Sequence, residues 1–347
     1  MSVNFQMRGY AGAAALLILL AWTPAAPAFE PFSPLPATPP VPADNPVTPE
    51  KVALGRLLFF DPRLSAGGAL SCNSCHDLQR GGSDGRPVST GALGIAATRN
   101  TPTLWNVAYQ TAYFWDGRAP SLEAAIAEHI LSPAIMGQPG EQAAIEPLRR
   151  LELYRRHFHT AFAGWRPVNY RNTVRALAAY VRTLVTPGGP FDRSLAGDDA
   201  ALPDAARRGK RLFVEKGCAA CHFWVNFSGP LPGLAIPMGQ GFYELFPNVR
   251  GSHYDSQYDL LGEDMGRYHV DGREEHKYLW RVPTLRNVAV TAPYFHNGSV
   301  ATLEEAVRVM ARTQFNVEAS EDEVTDIVSF LQSLTGVFPP VAIPALP

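Results

Sequence analysis

The chain has 347 residues, of which 30 are Lys or Arg and 32 are Asp or Glu, so its formal net charge is −2 at pH 7. The basic residues are scattered along the sequence, a pattern that argues against a nucleic-acid partner or an anionic membrane surface. Hydrophobic residues make up 46% of the chain, which is enough to bury sizeable cores.

The first 28 residues have the pattern of a secretory leader. Arg8 precedes an apolar run over residues 11–22, and Ala26-Pro27-Ala28 places small residues where a signal peptidase cleaves. The apolar run is too short to cross a bilayer comfortably. We expect residues 1–28 to be a cleaved signal peptide and the mature protein to be periplasmic or secreted, with an uncleaved anchor as the alternative.

Helical periodicity dominates the mature chain. Thr48 followed by Pro49 indicates a helix start, because threonine caps a helix and proline is tolerated in its first turn. Thr302 and Glu305 have the spacing of a capping box. Further helical patterns cover residues 169–184, 203–216, 302–311 and 320–334. Long alternating runs are missing, so we predict a mostly α-helical fold.

Chain length favours two domains. Residues 186–190 read Thr-Pro-Gly-Gly-Pro, which breaks the helical pattern and predicts a linker. We therefore predict an N-terminal domain over residues 29–190 and a C-terminal domain over residues 191–347. Proline-rich segments near both ends predict extended arms.

All four cysteines fall in two Cys-x-x-Cys-His motifs. The motifs comprise Cys72, Cys75 and His76 in the first half, and Cys218, Cys221 and His222 in the second. Two thiols three positions apart reach the two vinyl groups of one porphyrin, and the adjacent imidazole then lies under the iron. We predict two covalent c-type haems, with disulfides or a zinc site as the alternative.

An internal repeat relates the two halves. Residues 101–126 and 282–307 are identical at 12 of 26 positions without gaps, so the offset between matching positions is constant. Two unrelated segments would not share this much, so we infer that the two haem domains arose by internal duplication.

Several motifs together resemble the bacterial diheme cytochrome c peroxidase family, which also contains the quinone-maturing enzyme MauG. The motifs are LFFDPRLS before the first haem motif, FWDGRA over 114–119, VPTLRNVAVTAPYFHNGS after the second haem motif, and LEEAVRVMARTQ over 303–314. The resemblance covers nearly the whole mature chain. It implies two cytochrome c-like domains with one haem each, a calcium ion between them, a C-terminal tail that returns toward the N-terminal domain, and a homodimer.

The resemblance also implies roles for individual residues. His222 and Met310 match the axial ligands of a high-potential C-terminal haem, where a thioether favours ferrous iron. His76 matches the proximal ligand of a low-potential N-terminal haem that meets peroxide. Trp115 matches the tryptophan between the haems.

Three positions match the calcium ligands of the family. They are the side chain of Asn100 and the backbone carbonyls of Thr291 and Pro293, all of them oxygen donors suited to a hard cation.

The chain departs from the family pattern around the N-terminal haem. Ala92 stands where the peroxidases have a loop histidine that ligates the resting iron. Ala125 and Ile135 stand where they have a distal glutamine and a distal glutamate. The usual acid–base group is therefore missing.

His129 offers a replacement. When the repeat is extended at the same offset, His129 aligns with Met310, so it is the counterpart of an axial ligand, at a position where the family normally has proline. We expect His129 on the distal face of the N-terminal haem, either as a sixth iron ligand or as a proton shuttle. Glu128 is a weaker candidate for a supporting carboxylate.

The sequence is compatible with three functions. The first is a peroxidase that reduces hydrogen peroxide to water with electrons from a small cytochrome c or cupredoxin. The second is a MauG-like oxidase that modifies a protein partner, although Met310 favours the peroxidases because the quinone-maturing enzyme has tyrosine as that ligand. The third is a diheme electron-transfer protein, which permanent ligation by His76 and His129 would favour.

Overall fold

A computed structural model of the protein describes residues 31–229 and 242–346. The predicted signal peptide lies outside the described residues. The described chain is mostly helical with little strand, as predicted. In these two ranges no helix is both long enough and apolar enough to cross a membrane.

The α-helices are α1 (Pro49–Phe60), α2 (Cys72–Cys75), α3 (Leu122–Leu131), α4 (Glu141–Arg149), α5 (Glu152–Ala161), α6 (Tyr170–Arg182), α7 (Pro190–Leu195), α8 (Asp204–Glu215), α9 (His253–Gln257), α10 (Tyr268–Asp271), α11 (Leu303–Phe315) and α12 (Glu321–Ser333). Two short strands, β1 (Tyr243–Leu245) and β2 (Leu279–Arg281), pair antiparallel, with Tyr243 opposite Arg281.

Side-chain caps begin several of the longer helices, among them α1 and α11. The Thr48 hydroxyl accepts a hydrogen bond from the backbone N–H of Lys51 at the start of α1, and Thr302 does the same for Glu305 in α11. The capping box predicted at Thr302 is wrong in one respect, because the Glu305 carboxylate accepts from the Tyr258 hydroxyl at 2.8 Å instead. Helix α11 also runs past the predicted end and stops at Asn316, whose φ of 57° is left-handed.

Each half is built on a close crossing of two helices. In the N-terminal half a Cβ added to Gly55 of α1 would lie 2.0 Å from the carbonyl oxygen of Ala176 in α6. In the C-terminal half a Cβ on Gly209 of α8 would lie 1.9 Å from the carbonyl oxygen of Asp326 in α12. Only glycine allows the backbones to approach this closely.

Along the chain, the buried residues of the N-terminal core extend to Leu184, and those of the C-terminal core resume at Phe191. The predicted linker lies between these two residues. Both ends of the described chain pack in the core of the opposite half. Phe32 stacks on Phe227 of the C-terminal core with ring centroids 4.9 Å apart. Phe338 lies edge-on to Trp105 of the N-terminal core at 5.1 Å. These contacts tie the two halves together beyond the linker.

Buried polar side chains join the halves at the linker. The amides of Asn106 and Asn287 both donate to the Thr186 hydroxyl, at 2.9 and 3.0 Å. The Asn287 side-chain oxygen also accepts from the backbone N–H of Gly336 at 2.9 Å. Asn106 and Asn287 are counterparts in the repeat, are both fully buried, and both have left-handed φ values, 65° and 61°.

We expect Asn287→Ala to lower the free energy of unfolding by about 1–3 kcal/mol for its lost buried hydrogen bonds, beyond the cost of a left-handed alanine. Asn316→Ala is the matched control, because Asn316 is also left-handed but exposed, and it should cost only about 1 kcal/mol. Urea unfolding of the haem-loaded variants measures both. Equal losses would contradict a role for the buried hydrogen bonds.

Candidate functional site

The first Cys-x-x-Cys-His motif forms the single helical turn α2 and the residue after it. The backbone N–H of His76 donates to the carbonyl oxygen of Cys72 at 2.9 Å, which closes the turn. All four cysteines of the chain are free thiols in the structure, so they are not paired as disulfides. Both thiols of each motif are therefore available for thioether bonds.

The histidines of the two motifs share one tautomer. Nδ1 of His76 lies 3.1 Å from the carbonyl oxygen of Pro102, and Nδ1 of His222 lies 2.9 Å from that of Phe227. A carbonyl oxygen can only accept, so Nδ1 carries the proton and the lone pair is on Nε2. Burial lowers the pKa of both histidines to about 4. Both are therefore neutral imidazoles suited to bind iron.

His129 faces His76 across the same site. Their ring centroids are 6.1 Å apart and their planes make an angle of 52°. Two imidazoles that bind one metal ion through bonds of about 2 Å place their centroids roughly 6 Å apart. Nδ1 of His129 lies 2.8 Å from the carbonyl oxygen of Ala125, which again leaves the lone pair on Nε2, and burial lowers the pKa of His129. The pair fits a single iron between two imidazoles.

A cavity of about 1140 Å³ surrounds this pair. Cys72, Cys75, His76 and His129 all line it, as expected for the space that a haem attached to α2 would fill. Its wall also contains Arg281, which is 3% exposed and donates to the carbonyl oxygens of Phe114 at 2.9 Å and Val282 at 3.1 Å.

Arg281 supplies an independent test of the fit. Burial lowers its pKa to about 10, and the nearby Asp116 carboxylate offsets only part of that shift, so further negative charge would stabilise the guanidinium. The propionates of a haem would supply that negative charge. The residues present therefore fit the predicted cofactor in both ligands and charge.

Trp115 lies at the contact between the two halves. Its indole N–H donates to the carbonyl oxygen of Asn100 at 2.9 Å, and its own carbonyl accepts from the backbone N–H of Arg281 at 2.9 Å. Its side chain packs against the C-terminal core and lines the cavity. The repeat counterpart of Trp115, His296, lines the same cavity and stacks on Trp280 at 4.0 Å.

Glu128 does not reach the imidazole of His129. Its carboxylate accepts from Nε of Arg118 at 2.7 Å, and its side chain is 42% exposed. Nδ1 of His129 bonds instead to the backbone of Ala125. Arg118 was not singled out by the sequence, and the only signal for it was its place in the FWDGRA motif.

The second haem motif borders the C-terminal core. The side chains of Cys218 and Met310 both pack against that core, and the ring of Phe213, a core residue, lies 6.4 Å from His222. Met310 is the eighth residue of α11, and His129 is the eighth residue of α3. The two candidate axial ligands therefore occupy the same position on corresponding helices.

The candidate calcium ligands lie on segments that contact one another. The amide nitrogen of Asn100 donates to the carbonyl oxygens of Arg86 and Pro87, at 2.8 and 3.2 Å, so its side-chain oxygen remains an acceptor. The backbone N–H of Asn100 donates to the carbonyl oxygen of His296 at 2.7 Å. Asn100 thus contacts the segment that follows Thr291 and Pro293, so the three candidate oxygen donors lie on neighbouring segments.

Two of the departures from the family pattern contact each other. The backbone N–H of Ala92 donates to the carbonyl oxygen of Ile135 at 2.7 Å. The loop that carries a histidine in the peroxidases is therefore tied here to the segment that follows α3.

Comparisons with known proteins identify the family of the chain. Residues 49–200 match the model of the di-haem cytochrome c peroxidase family, and residues 280–316 match that of RoxA-like, cytochrome c-like proteins. The chain is 39% identical to the cytochrome c551 peroxidase of Nitrosomonas europaea, over 89% of this chain and 86% of that protein. It is 35% identical to the methylamine utilization protein MauG of Methylorubrum extorquens, over 90% of this chain and 86% of that protein.

A solved structure shares the fold. A MauG-like protein associated with microbial copper homeostasis superposes with a TM-score of 0.74 at 28% identity, over 91% of this chain and 96% of that one. These matches confirm the resemblance and the peroxidase type of chemistry inferred from the motifs, and they support two c-type haems. The chain therefore belongs to the diheme cytochrome c peroxidase family of oxidoreductases.

Proposed function

We propose that this protein reduces hydrogen peroxide to water in the periplasm, at the N-terminal haem. The observation that carries the proposal is the pair of facing imidazoles, His76 and His129, with ring centroids 6.1 Å apart in the cavity of the first haem motif. The reaction breaks one O–O bond with two electrons and two protons and releases two water molecules. A covalently attached haem supplies the iron at which peroxide is reduced.

His129 has two successive roles in this proposal. In the resting protein His129 would bind the haem iron together with His76, and it would thereby take the place of the loop histidine of the peroxidases, where this chain has Ala92. Because two bound imidazoles would leave no room for peroxide on the iron, His129 would have to release it before peroxide enters. The released neutral imidazole then takes a proton from the near oxygen and delivers it to the leaving oxygen.

Electrons enter through the C-terminal half. His222 and Met310 are the proposed axial pair of the second haem, whose thioether ligand favours the ferrous state. The donor is a small cytochrome c or cupredoxin that docks near this haem. Trp115 makes hydrogen bonds to Asn100 in the N-terminal half and to Arg281 in the C-terminal half, and it lies on the proposed electron-transfer route between the haems.

Calcium and duplication complete the proposal. Calcium would bind between the halves to Asn100, Thr291 and Pro293, and the ion would stiffen the contact between the halves.

Matched backbone conformations support the internal duplication. Phe114 and Phe295, at counterpart positions of the repeat, have φ values of 66° and 69°. A homodimer, as the family resemblance implies, is part of the same proposal.

The same separation of the two imidazole rings favours one alternative function. If His129 never leaves the iron, peroxide cannot bind and the protein only transfers electrons. Addition of one equivalent of peroxide to the half-reduced protein separates the two functions. Rapid reoxidation supports the peroxidase, and a low-spin spectrum that ignores peroxide supports electron transfer.

We expect His129→Ala to convert the ferric N-terminal haem from low-spin to high-spin, because the sixth ligand is lost. Turnover of peroxide should fall by about 10²–10⁴-fold, because the acid–base group is lost as well. The optical spectrum and steady-state rate measure the two effects. His159→Ala, at an exposed position of α5, is the control and should change neither. An unchanged spectrum and rate in His129→Ala would contradict both proposed roles.

Met310→His should lower the reduction potential of the C-terminal haem, because a second imidazole stabilises ferric iron relative to a thioether. The half-reduced state should then form only with stronger reductants in a potentiometric titration. Met265→Leu, in the loop before α10, serves as the matched control. If both variants keep the potentials of the unmodified protein, Met310 is not the axial ligand.

A further inference from the structure

One side chain separates His129 from a fixed cation. The ring of Phe114 stacks on the imidazole of His129, with centroids 4.9 Å apart and planes only 9° from parallel. The guanidinium of Arg118 lies over the Phe114 ring, with its central carbon 3.6 Å from the ring centroid. The three groups form a continuous stack beside the haem cavity.

The outer end of this stack is immobilised. Nη1 of Arg118 donates to both carboxylate oxygens of Asp116, at 3.0 and 2.8 Å, while its Nε donates to Glu128 at 2.7 Å. Asp116 is itself buried and accepts from Arg99 at 2.5 Å. A guanidinium with this many charge-assisted bonds cannot rotate without breaking several of them.

Phe114 is held equally firmly. Its φ of 66° is left-handed, a conformation that an aromatic residue adopts only when the surroundings enforce it. Nε of the buried Arg281 donates to the Phe114 carbonyl oxygen at 2.9 Å, from strand β2 of the C-terminal half. Arg281 from the C-terminal half thus holds the Phe114 backbone, while Arg118 from the N-terminal half contacts its ring.

The other half of the repeat lacks this stack. Phe295, the counterpart of Phe114, has the same left-handed φ but stacks on Phe246 at 4.8 Å. The counterpart of Arg118 is Ser299, which carries no charge. The N-terminal half thus has both the cation, Arg118, and the histidine, His129. The C-terminal half has a serine and Met310 at the corresponding positions. An aromatic neighbour can orient an imidazole by stacking on its ring, whereas a thioether has no ring to stack on.

We propose that Phe114 and Arg118 are positioning residues that fix the plane of the His129 imidazole, and that this inference rests on the proposed place of His129 at the N-terminal haem. A single hydrogen bond, from Nδ1 to Ala125, would leave the ring free to tilt. In the resting protein the stack restricts that tilt and keeps the ring at 52° to the plane of His76. Through its hydrogen bond to the Phe114 carbonyl, Arg281 makes the orientation of the His129 ring dependent on the C-terminal half.

Electron paramagnetic resonance tests the proposal, because the angle between two axial imidazole planes determines the g values of a low-spin ferric haem. We expect Phe114→Leu to shift and broaden the signal of the N-terminal haem and to increase its high-spin fraction. Arg118→Leu should do the same to a smaller extent, and Arg118→Lys should restore part of the original signal. The signal of the C-terminal haem should stay unchanged and shows that each variant is folded.

Arg166→Leu is the matched control. Arg166 stacks on the exposed ring of Trp165 at 3.9 Å, so this variant removes an arginine–aromatic pair distant from the haem motifs in sequence. Its spectrum should equal that of the unmodified protein. Unchanged N-terminal g values in both Phe114→Leu and Arg118→Leu would overturn the proposal.

Failure of this inference and failure of the proposed function give different results. If the unmodified protein turns over peroxide while the variants keep their g values, the positioning role is wrong and the peroxidase stands. If the g values shift but the unmodified protein ignores peroxide, the positioning role stands and the peroxidase is wrong.

Discussion

The proposed haem site depends on two neutral imidazoles that face each other across one cavity. His76 and His129 come from different helical segments, and each has its Nδ1 proton tied to a backbone carbonyl, so both keep the lone pair of Nε2 for a metal. Burial lowers the pKa of both and keeps them neutral. An iron ion between them would satisfy two otherwise costly buried polar groups at once.

The surrounding architecture maintains this distance. Helix α3 carries His129 and α2 carries the thiols, while the C-terminal half contributes Arg281 to the cavity wall. The halves cannot separate easily, because Phe32 and Phe338 each pack in the opposite core and Asn287 bonds across the linker. Arg281 of β2 donates to the carbonyl of Phe114, whose ring stacks on His129, so direct contacts link β2 to the candidate site.

The sequence predicted the parts of this site that depend on local spacing. The haem motifs were evident from four cysteines, and the constant offset of the internal repeat identified His129 as the counterpart of Met310. The stack of Phe114 and Arg118 could not be predicted, because it depends on a left-handed φ and on ion pairs to Asp116 that periodicity does not reveal. The burial of Arg281, which lowers the pKa of its guanidinium, likewise depends on the tertiary structure. Glu128 was adjacent in sequence to His129, but helix geometry points neighbours in different directions, and it bonds to Arg118 instead.

We propose that one iron lies between His76 and His129 in the resting protein. A crystal structure of the haem-loaded ferric protein tests it most directly, through the two distances from iron to Nε2. We predict that both are about 2 Å, as for other metal–imidazole bonds. A water molecule in the sixth position, with Nε2 of His129 beyond bonding distance, would contradict the claim.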